Sequence, residues 1–575
     1  MGDFISDASV SSWEEVSRQV ELISSRSQKP LPASKTEYQQ AVAQGTAFLT
    51  FDFGIDGVSI EIAKYARVLE SLYRPYGEPG LHFIAGDFHP QADAVLKSNW
   101  SRCQIDGING WSKWDEGKWF SALFFEDMPA GSRRSSELAT EVFRQAASIA
   151  RELAEYLVTN NISLLFPVNI ASNPGNLALT LALVLVTEAL GIVVINSNHD
   201  YYWDGGIPAA ERKPGEEPGE RDHFYRNNHN EPFFSLFQKL YPWQGRRWLQ
   251  VNINSRQSER LIREHGFPKQ RVLEISTCVG DTLLADYTAE DVKHARLRMA
   301  HILSAGSEEI QPRSLGRHRR ALHEWMDRQR PKVIGAREGL KLDLVAEDII
   351  YLLQPTRVIA RKRIERSVEL VQALLQGPMR TAFEQKPNQQ LILHITGPTP
   401  QEHQDDLETI LEAYRRLIDS LPQAIAERVF LAFSSGREAH SSFEEQAFED
   451  MNIADIFRLA TAVLFPSEIE GRGLPIIESG AVGVPIICSR YQPEEVFADV
   501  IGEDLPEALR IHYLLFPEDH FSEEFLAEVS ELLTQPELWT KWREHNRRAI
   551  RSRFSVAALS TAFQHLLDHS YEIAA

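Results

Sequence analysis

The sequence predicts an α/β protein with two doubly wound parallel sheets, and three observations carry that expectation. Short apolar runs alternate with amphipathic stretches along 46–285 and again along 347–550, which is the pattern of parallel strands joined by helical crossovers. Each run holds a glycine-bearing loop directly after a strand: Gly54-Ile55-Asp56-Gly57 in the first and Glu470-Gly471-Arg472-Gly473 in the second. The chain has 575 residues, 43% of them hydrophobic and 25% charged, enough to bury two sizeable cores.

Residues 1–45 read as a peripheral extension. Ser12 followed by Glu15 has the form of a capping box opening a short amphipathic helix. Ser-, Lys- and Pro-rich linker follows it. The first domain, 46–285, opens with a strand over Ala47–Phe53, a tight turn at Gly54–Gly57 and an amphipathic helix over Val58–Leu72. Further strands are expected at Leu164–Val168, Val193–Ile195, Leu249–Ile253 and Val272–Ile275. Leu177–Ile195 is apolar enough to imitate a membrane span. Glu188 interrupts it, Gly191 sits where a helix stops, and the end then reads as a strand. A buried helix feeding a parallel strand accounts for all three features.

The pattern breaks over 286–346, which reads as a charged helical insertion. Its basic residues are Arg313, Arg317, His318, Arg319, Arg320, Arg328, Arg330 and Lys332. They form a solvated face or, alternatively, a patch for a membrane or a partner. The second domain, 347–550, has expected strands at Ile350–Gln354, Gln390–Ile395, Val429–Ala432, Ala462–Phe465 and Pro485–Ile487. A last helix, near Val556–Tyr571, occupies 551–575.

Composition narrows the partners. A formal net charge of −21 argues against nucleic acid held by a general basic field, and against an anionic membrane surface. Cys103, Cys278 and Cys488 are far apart and have no metal-ligand spacing. They suit a reducing, cytoplasmic setting without disulfides. The opening MGDFISDASVSSWEEV is acidic and polar, unlike a signal peptide.

The chemistry concentrates in Leu464–Ile487, LFPSEIEGRGLPIIESGAVGVPII. A strand end leads into a loop with Glu468, Glu470, Gly471 and Gly473. Pro475 marks a helix start and Gly483 its end. Free backbone N–H groups and the helix dipole make such a start an anion site. Glu470 and Glu478 flank it. The bland alternative is an ordinary strand–loop–helix with two solvated glutamates. Upstream, Thr356-Arg357-Val358-Ile359-Ala360-Arg361-Lys362 follows another strand.

The stretch EGRGLPIIESGAVGVPII resembles the E-x7-E signature of retaining GT-B glycosyltransferases of family 4, with Arg472 where that loop usually has Phe. Arg357 and Lys362 resemble the family's R-x4-K element, with Arg363 where glycine is frequent. The resemblance implies two Rossmann-like domains facing a cleft, a C-terminal crossover helix, and transfer of a hexose from a nucleotide sugar; the polar loop NHDYYWDGG and the acidic charge point to a soluble hydroxylated acceptor. It implies that Arg357 and Lys362 hold the donor diphosphate, where a guanidinium fork and an ammonium meet developing negative charge. Glu478 would accept from the ribose hydroxyls, and Glu470 would face the donor sugar. Gly473 and Leu474 would offer backbone N–H groups. Gly57 is a donor-side candidate by position, in the glycine turn after the first strand, where ligands bind in such sheets.

His199, after the strand Val193–Ile195, takes the place of a histidine that faces the donor sugar in the family; its alternative is a loop histidine satisfied locally. Candidate acceptor contacts are Asn169, Asn173, Asp200, Tyr202 and Trp203. The two rings are equally readable as packing. No carboxylate metal element stands at a strand end, so a metal-independent reaction without a cofactor is expected. Two other readings remain: a disaccharide phosphorylase on the same fold, with little need for Glu478, and a catalytically silent binding protein.

Overall fold

The computed structural model describes all residues except 1–9, 27–29, 31, 55–56, 111–121, 125, 205–225, 305–308, 316–331, 347, 398–403, 435–450 and 575. The chain divides into two units, Met1–Thr277 with Leu559–Ala575, and Cys278–Ala558.

The first unit is built on a seven-stranded parallel sheet. Its strands are β1 (Thr46–Leu49), β2 (Leu81–Ala85), β3 (Ser101–Gln104), β4 (Leu164–Pro167), β5 (Val193–Asn198), β6 (Trp248–Asn252) and β7 (Val272–Glu274). The order is β3-β2-β1-β4-β5-β6-β7, so the chain starts mid-sheet, walks to one edge and returns past β1 to β4. Every residue of β1, β2, β4, β5 and β6 is buried, because helices cover both faces. This makes most of these strands readable as apolar runs. Strand β3, SRCQ, is a largely exposed edge strand without such a run, so no apolar pattern marks it.

The imitation span resolves into the buried helix Leu177–Leu190 and β5. Asn176 caps the helix by accepting from the Leu179 amide at 2.7 Å, and Gly191 ends it with φ 67. No described helix is long and apolar enough to cross a membrane.

Residues 10–45 are not peripheral. Trp13, Val16, Val20 and Ile23 recur on one face of the helix Trp13–Ser24 and lie in the core of the first unit. The Trp13 ring sits 5.1 Å from that of Phe233. Ser12 accepts from the Glu15 amide, but the Glu15 carboxylate turns to the Ser11 amide at 2.6 Å, so the reciprocal box does not close on Ser12. The expected linker contains the helix Lys35–Gln44, with Tyr38, Val42 and Ala43 buried. Tyr38 Oη lies 2.9 Å from Ser570 Oγ of the last helix, Val556–Ala574, whose Phe563 ring packs on Tyr65. Few apolar residues are needed to dock a helix on an existing core, so composition hid the second helix and the docking of the first, expected one.

The second unit holds an eight-stranded sheet. Its strands are β8 (Arg313–Ser314), β9 (Lys332–Gly335), β10 (Ile350–Gln354), β11 (Leu391–Ile395), β12 (Val429–Phe433), β13 (Ala462–Phe465), β14 (Ile486–Cys488) and β15 (Leu514–Leu515). The order is β8-β9-β12-β11-β10-β13-β14-β15. Its doubly wound part repeats the plan of the first sheet, reversing between β10 and β13. The segment 286–346 contains the helix Ala289–Leu303 but is not helical throughout. Strand β9 pairs antiparallel with β12 and buries Val333 and Ile334, covering what would be a free edge. Arg313 and Lys332 are on these edge strands; Arg317, His318, Arg319, Arg320, Arg328 and Arg330 lie outside the described residues.

Candidate active site

In a doubly wound sheet the loops after the two strands at the reversal diverge and leave a crevice. In the second unit those strands are β10 and β13. Lys362 follows β10 and Glu470 follows β13. Their side chains meet, Lys362 Nζ to Glu470 Oε1 at 2.5 Å, with 10% and 12% of each exposed. Burial pushes the Lys362 ammonium below the usual lysine range; Glu470 opposes that, and Arg361 and Arg357 reinforce it. Arg357 is exposed on the same loop.

Backbone bonds fix the two loops against each other. The Glu468 amide donates to the Arg361 carbonyl at 2.8 Å, the Gln492 amide to the Glu468 carbonyl at 2.7 Å, and the Glu470 amide to the Gln492 carbonyl at 2.9 Å. The Ala360 amide donates to Asp406 Oδ2 at 2.8 Å. Arg363 adopts φ 48, a left-handed backbone that explains why glycine suits this position. Its guanidinium donates to Glu365 at 2.9 Å.

The helix Leu474–Val482 begins at Gly473, with φ 62 and no side-chain cap. Pro475 has no N–H and the Ile476 amide donates to the Gly473 carbonyl at 3.0 Å, which leaves the Leu474 amide at the helix start to meet an anion. Leu474 is exposed and Glu478 is half-buried on this helix. A Cβ on Gly473 would lie 2.3 Å from Tyr491 Oη. That hydroxyl is buried and has no hydrogen-bond partner in the structure. Burial raises its pKa well above the usual tyrosine range, and Cys488 and Glu470 add to the effect. Tyr491, Gln492 and Asp406 were missed from sequence, and no local motif marks them. Gly397 was also missed: a Cβ there would sit 2.1 Å from the Thr356 carbonyl. Its place in a turn directly after β11 was the available signal.

In the first unit the corresponding reversal lies between β1 and β4. The Gly54 amide donates to Ser59 Oγ at 3.1 Å. Gly57 opens the helix Gly57–Tyr73, and nothing lies within 4 Å of a Cβ built on it. Ile55 and Asp56 lie outside the described residues. Asn169 follows β4 with φ 57. Its amide donates to Asp200 Oδ2 at 3.1 Å, and the Asp200 amide donates back to Asn169 Oδ1 at 3.0 Å. His199 is half-buried, and its carbonyl accepts from Gln257 Nε2 at 3.0 Å. Asn173 is 8% exposed.

Beneath this loop runs a buried amide ladder that sequence reading missed. Asn196 and Asn198 on β5 donate to Gln250 on β6 at 2.9 and 3.1 Å. Asn198 also donates to Asn252, which accepts from Tyr201 Oη at 2.6 Å. The alternation of amide side chains in NSN and QVN was its only trace. Tyr202 and Trp203, candidate sugar platforms, are 3% and 4% exposed. The Trp203 ring stacks on Tyr201 at 4.4 Å and on His265 at 4.3 Å, under the Arg260 guanidinium. In this structure they are packing residues, because neighbouring rings occupy the surface a sugar would need.

No family model and no curated protein matches the chain. Solved structures do resemble it. A glycosyltransferase from Rickettsia africae aligns at 12% identity and TM-score 0.52, covering 92% of this chain and 99% of that one. A UDP-forming α,α-trehalose-phosphate synthase from Burkholderia xenovorans aligns at 11% identity and TM-score 0.50, with 92% and 99% covered. Likeness at such identity speaks for architecture, and it agrees with the two doubly wound sheets: the chain has the GT-B fold.

Proposed function

We propose that the chain is a retaining glycosyltransferase of the family 4 type, moving a hexose from a nucleoside-diphosphate sugar to a soluble hydroxylated acceptor. The observation that carries this reading is the Lys362–Glu470 pair at the strand reversal, beside the uncapped start of the helix Leu474–Val482. Breaking a sugar–phosphate bond leaves extra negative charge on the departing diphosphate. Lys362, Arg357 and the amides of Gly473 and Leu474 are the groups to receive it, and preorganised donors of this kind lower the barrier most. Glu470 keeps the buried Lys362 charged until the diphosphate arrives, and offers its carboxylate to donor hydroxyls. Glu478 takes the ribose. His199 is assigned to the donor sugar, and Asn169, Asn173 and Asp200 to the acceptor. The shared fold with a glycosyltransferase and a UDP-forming synthase supports a nucleotide-sugar donor.

The test is release of nucleotide from labelled nucleotide sugars, with and without inorganic phosphate. Release without phosphate is expected. Sugar phosphate formed only with phosphate would overturn the transferase reading in favour of a phosphorylase. Arg357→Ala is expected to cost at least ~2 kcal/mol of transition-state stabilisation, read from kcat/KM of the folded variant. Unchanged turnover would remove Arg357 from the diphosphate site.

A further inference from the structure

A second cluster of chemistry-bearing side chains in the second unit has no part in the proposed transfer. Glu507 sits in the short turn Glu507–Leu509, His512 just precedes β15, and His545 is carried by the helix Thr540–Phe554. One ligand atom from each lies within 4.8 Å of the other two. They border a groove of about 940 Å³ that Trp539, Trp542 and Glu528 also line. We propose that Glu507, His512 and His545 bind a divalent transition-metal ion of the zinc or nickel type, with water from the groove completing its shell.

His512 Nε2 stands 3.0 Å from Glu507 Oε1. Two ligand atoms on a tetrahedral ion with bonds of ~2.0–2.1 Å are ~3.3 Å apart, so a small turn of the His512 ring brings this pair to that spacing. Arg510 Nη1 lies 3.7 Å from the other oxygen, Glu507 Oε2, and leaves Oε1 to the ion. His545 Nε2 meets the Arg510 carbonyl at 2.9 Å. A carbonyl only accepts, so this nitrogen carries the proton and Nδ1 keeps its lone pair. A backbone carbonyl orienting one ring nitrogen is the usual support of a metal-binding histidine. Buried Asn546 accepts from the His512 amide at 2.7 Å and donates to its carbonyl at 2.8 Å, holding His512 against the helix that bears His545. The two imidazoles lie face to face, 4.0 Å apart and 9° from parallel. An ion lies in the plane of each ring it bonds, so one ring turns on binding. His512, with 37% of its side chain exposed, has the room. Two nitrogens and one carboxylate suit borderline ions, whereas magnesium and calcium take oxygen ligands.

The test titrates chelator-treated full-length chain with zinc chloride and with nickel chloride by calorimetry, with stoichiometry read by native mass spectrometry. Wild type is expected to bind one ion per chain saturably. His545→Gln and Glu507→Gln are each expected to weaken binding by ~10–100-fold. Zinc should raise the melting temperature of wild type more than that of either variant. Equal metal-free melting temperatures in wild type and Glu507→Gln separate lost ligation from lost folding. Two results would overturn the proposal: no saturable binding up to ~1 mM ion, or wild-type affinity in both variants. The second would place the ion elsewhere, for instance at His565 and His569, whose rings are 6.2 Å apart on the last helix.

Discussion

Lys362 Nζ and Glu470 Oε1 lie 2.5 Å apart across 108 residues of sequence, both almost removed from solvent. Taking either partner away leaves the other charge buried and uncompensated, while replacing both with apolar groups does not. Glu470→Leu is therefore expected to destabilise the second unit by about 3 kcal/mol, and Lys362→Met with Glu470→Leu by clearly less than the sum of those two single changes. Urea unfolding of the four proteins reads the coupling. Additive effects would show that the two charges do not depend on each other.

Glu478 separates two roles. As the ribose acceptor it makes charge-assisted hydrogen bonds, and Glu478→Gln should weaken nucleotide binding by roughly 1.5–3 kcal/mol. As a purely structural helix residue it would change the melting temperature and leave affinity alone. Calorimetry with a nucleoside diphosphate and a thermal melt on the same variant decide between them. Unchanged affinity with lowered stability would remove the main reason for preferring a transferase over a phosphorylase.

Gly473 and Tyr491 share one space. A Cβ at Gly473 would meet Tyr491 Oη at 2.3 Å, and the backbone there is left-handed. Gly473→Ala is expected to lose at least ~1–2 kcal/mol from the backbone alone, with the clash added. Adding Tyr491→Phe should recover part of that loss, because the ring carbon behind the hydroxyl is 3.0 Å away. Tyr491→Phe alone removes a buried hydroxyl without a partner and is expected to be neutral or stabilising by up to ~1 kcal/mol. A marked fall in its melting temperature would mean that the hydroxyl is satisfied in solution.

His394 on β11 should make the second unit acid-sensitive. Its ring nitrogens meet Tyr351 Oη and Ser434 Oγ, and burial pushes its pKa from 6.5 down to about 3. The folded-state value is depressed for a base, so the unfolded chain binds a proton below pH ~6.5 that the folded chain refuses. Stability is unaffected by this group above that pH. It falls by ~1.4 kcal/mol per pH unit as pH drops towards the folded value. Unfolding free energies at pH 7, 6 and 5 should show a shallower slope for His394→Gln than for wild type. Equal slopes would show that the imidazole takes up its proton in the folded state.

Most core strands were legible because parallel strands covered on both faces must be apolar throughout, as in TAFL, LLFP, IYLLQ and LILHI. The start at Gly473, Leu474 and Pro475 and the stop at Gly483 were legible because caps are local and glycine tolerates a positive φ. Where the polarity pattern was diluted, as in β3 and the helix Lys35–Gln44, the same reasoning failed.

By itself the sequence determined that two doubly wound sheets would form and that a glycine loop would meet a helix start near Glu470 and Glu478. Only the tertiary structure decided that Lys362 reaches Glu470, that Tyr491 fills the space beside Gly473, and that β9 closes the edge at β12. It also turned Tyr202 and Trp203 inward and set the helix Trp13–Ser24 into the core. The physical reason is range. A cap or a strand run reports each residue's preference among its near neighbours, whereas strand order and ring packing minimise exposed apolar surface over the whole unit, bringing together groups that no local pattern links.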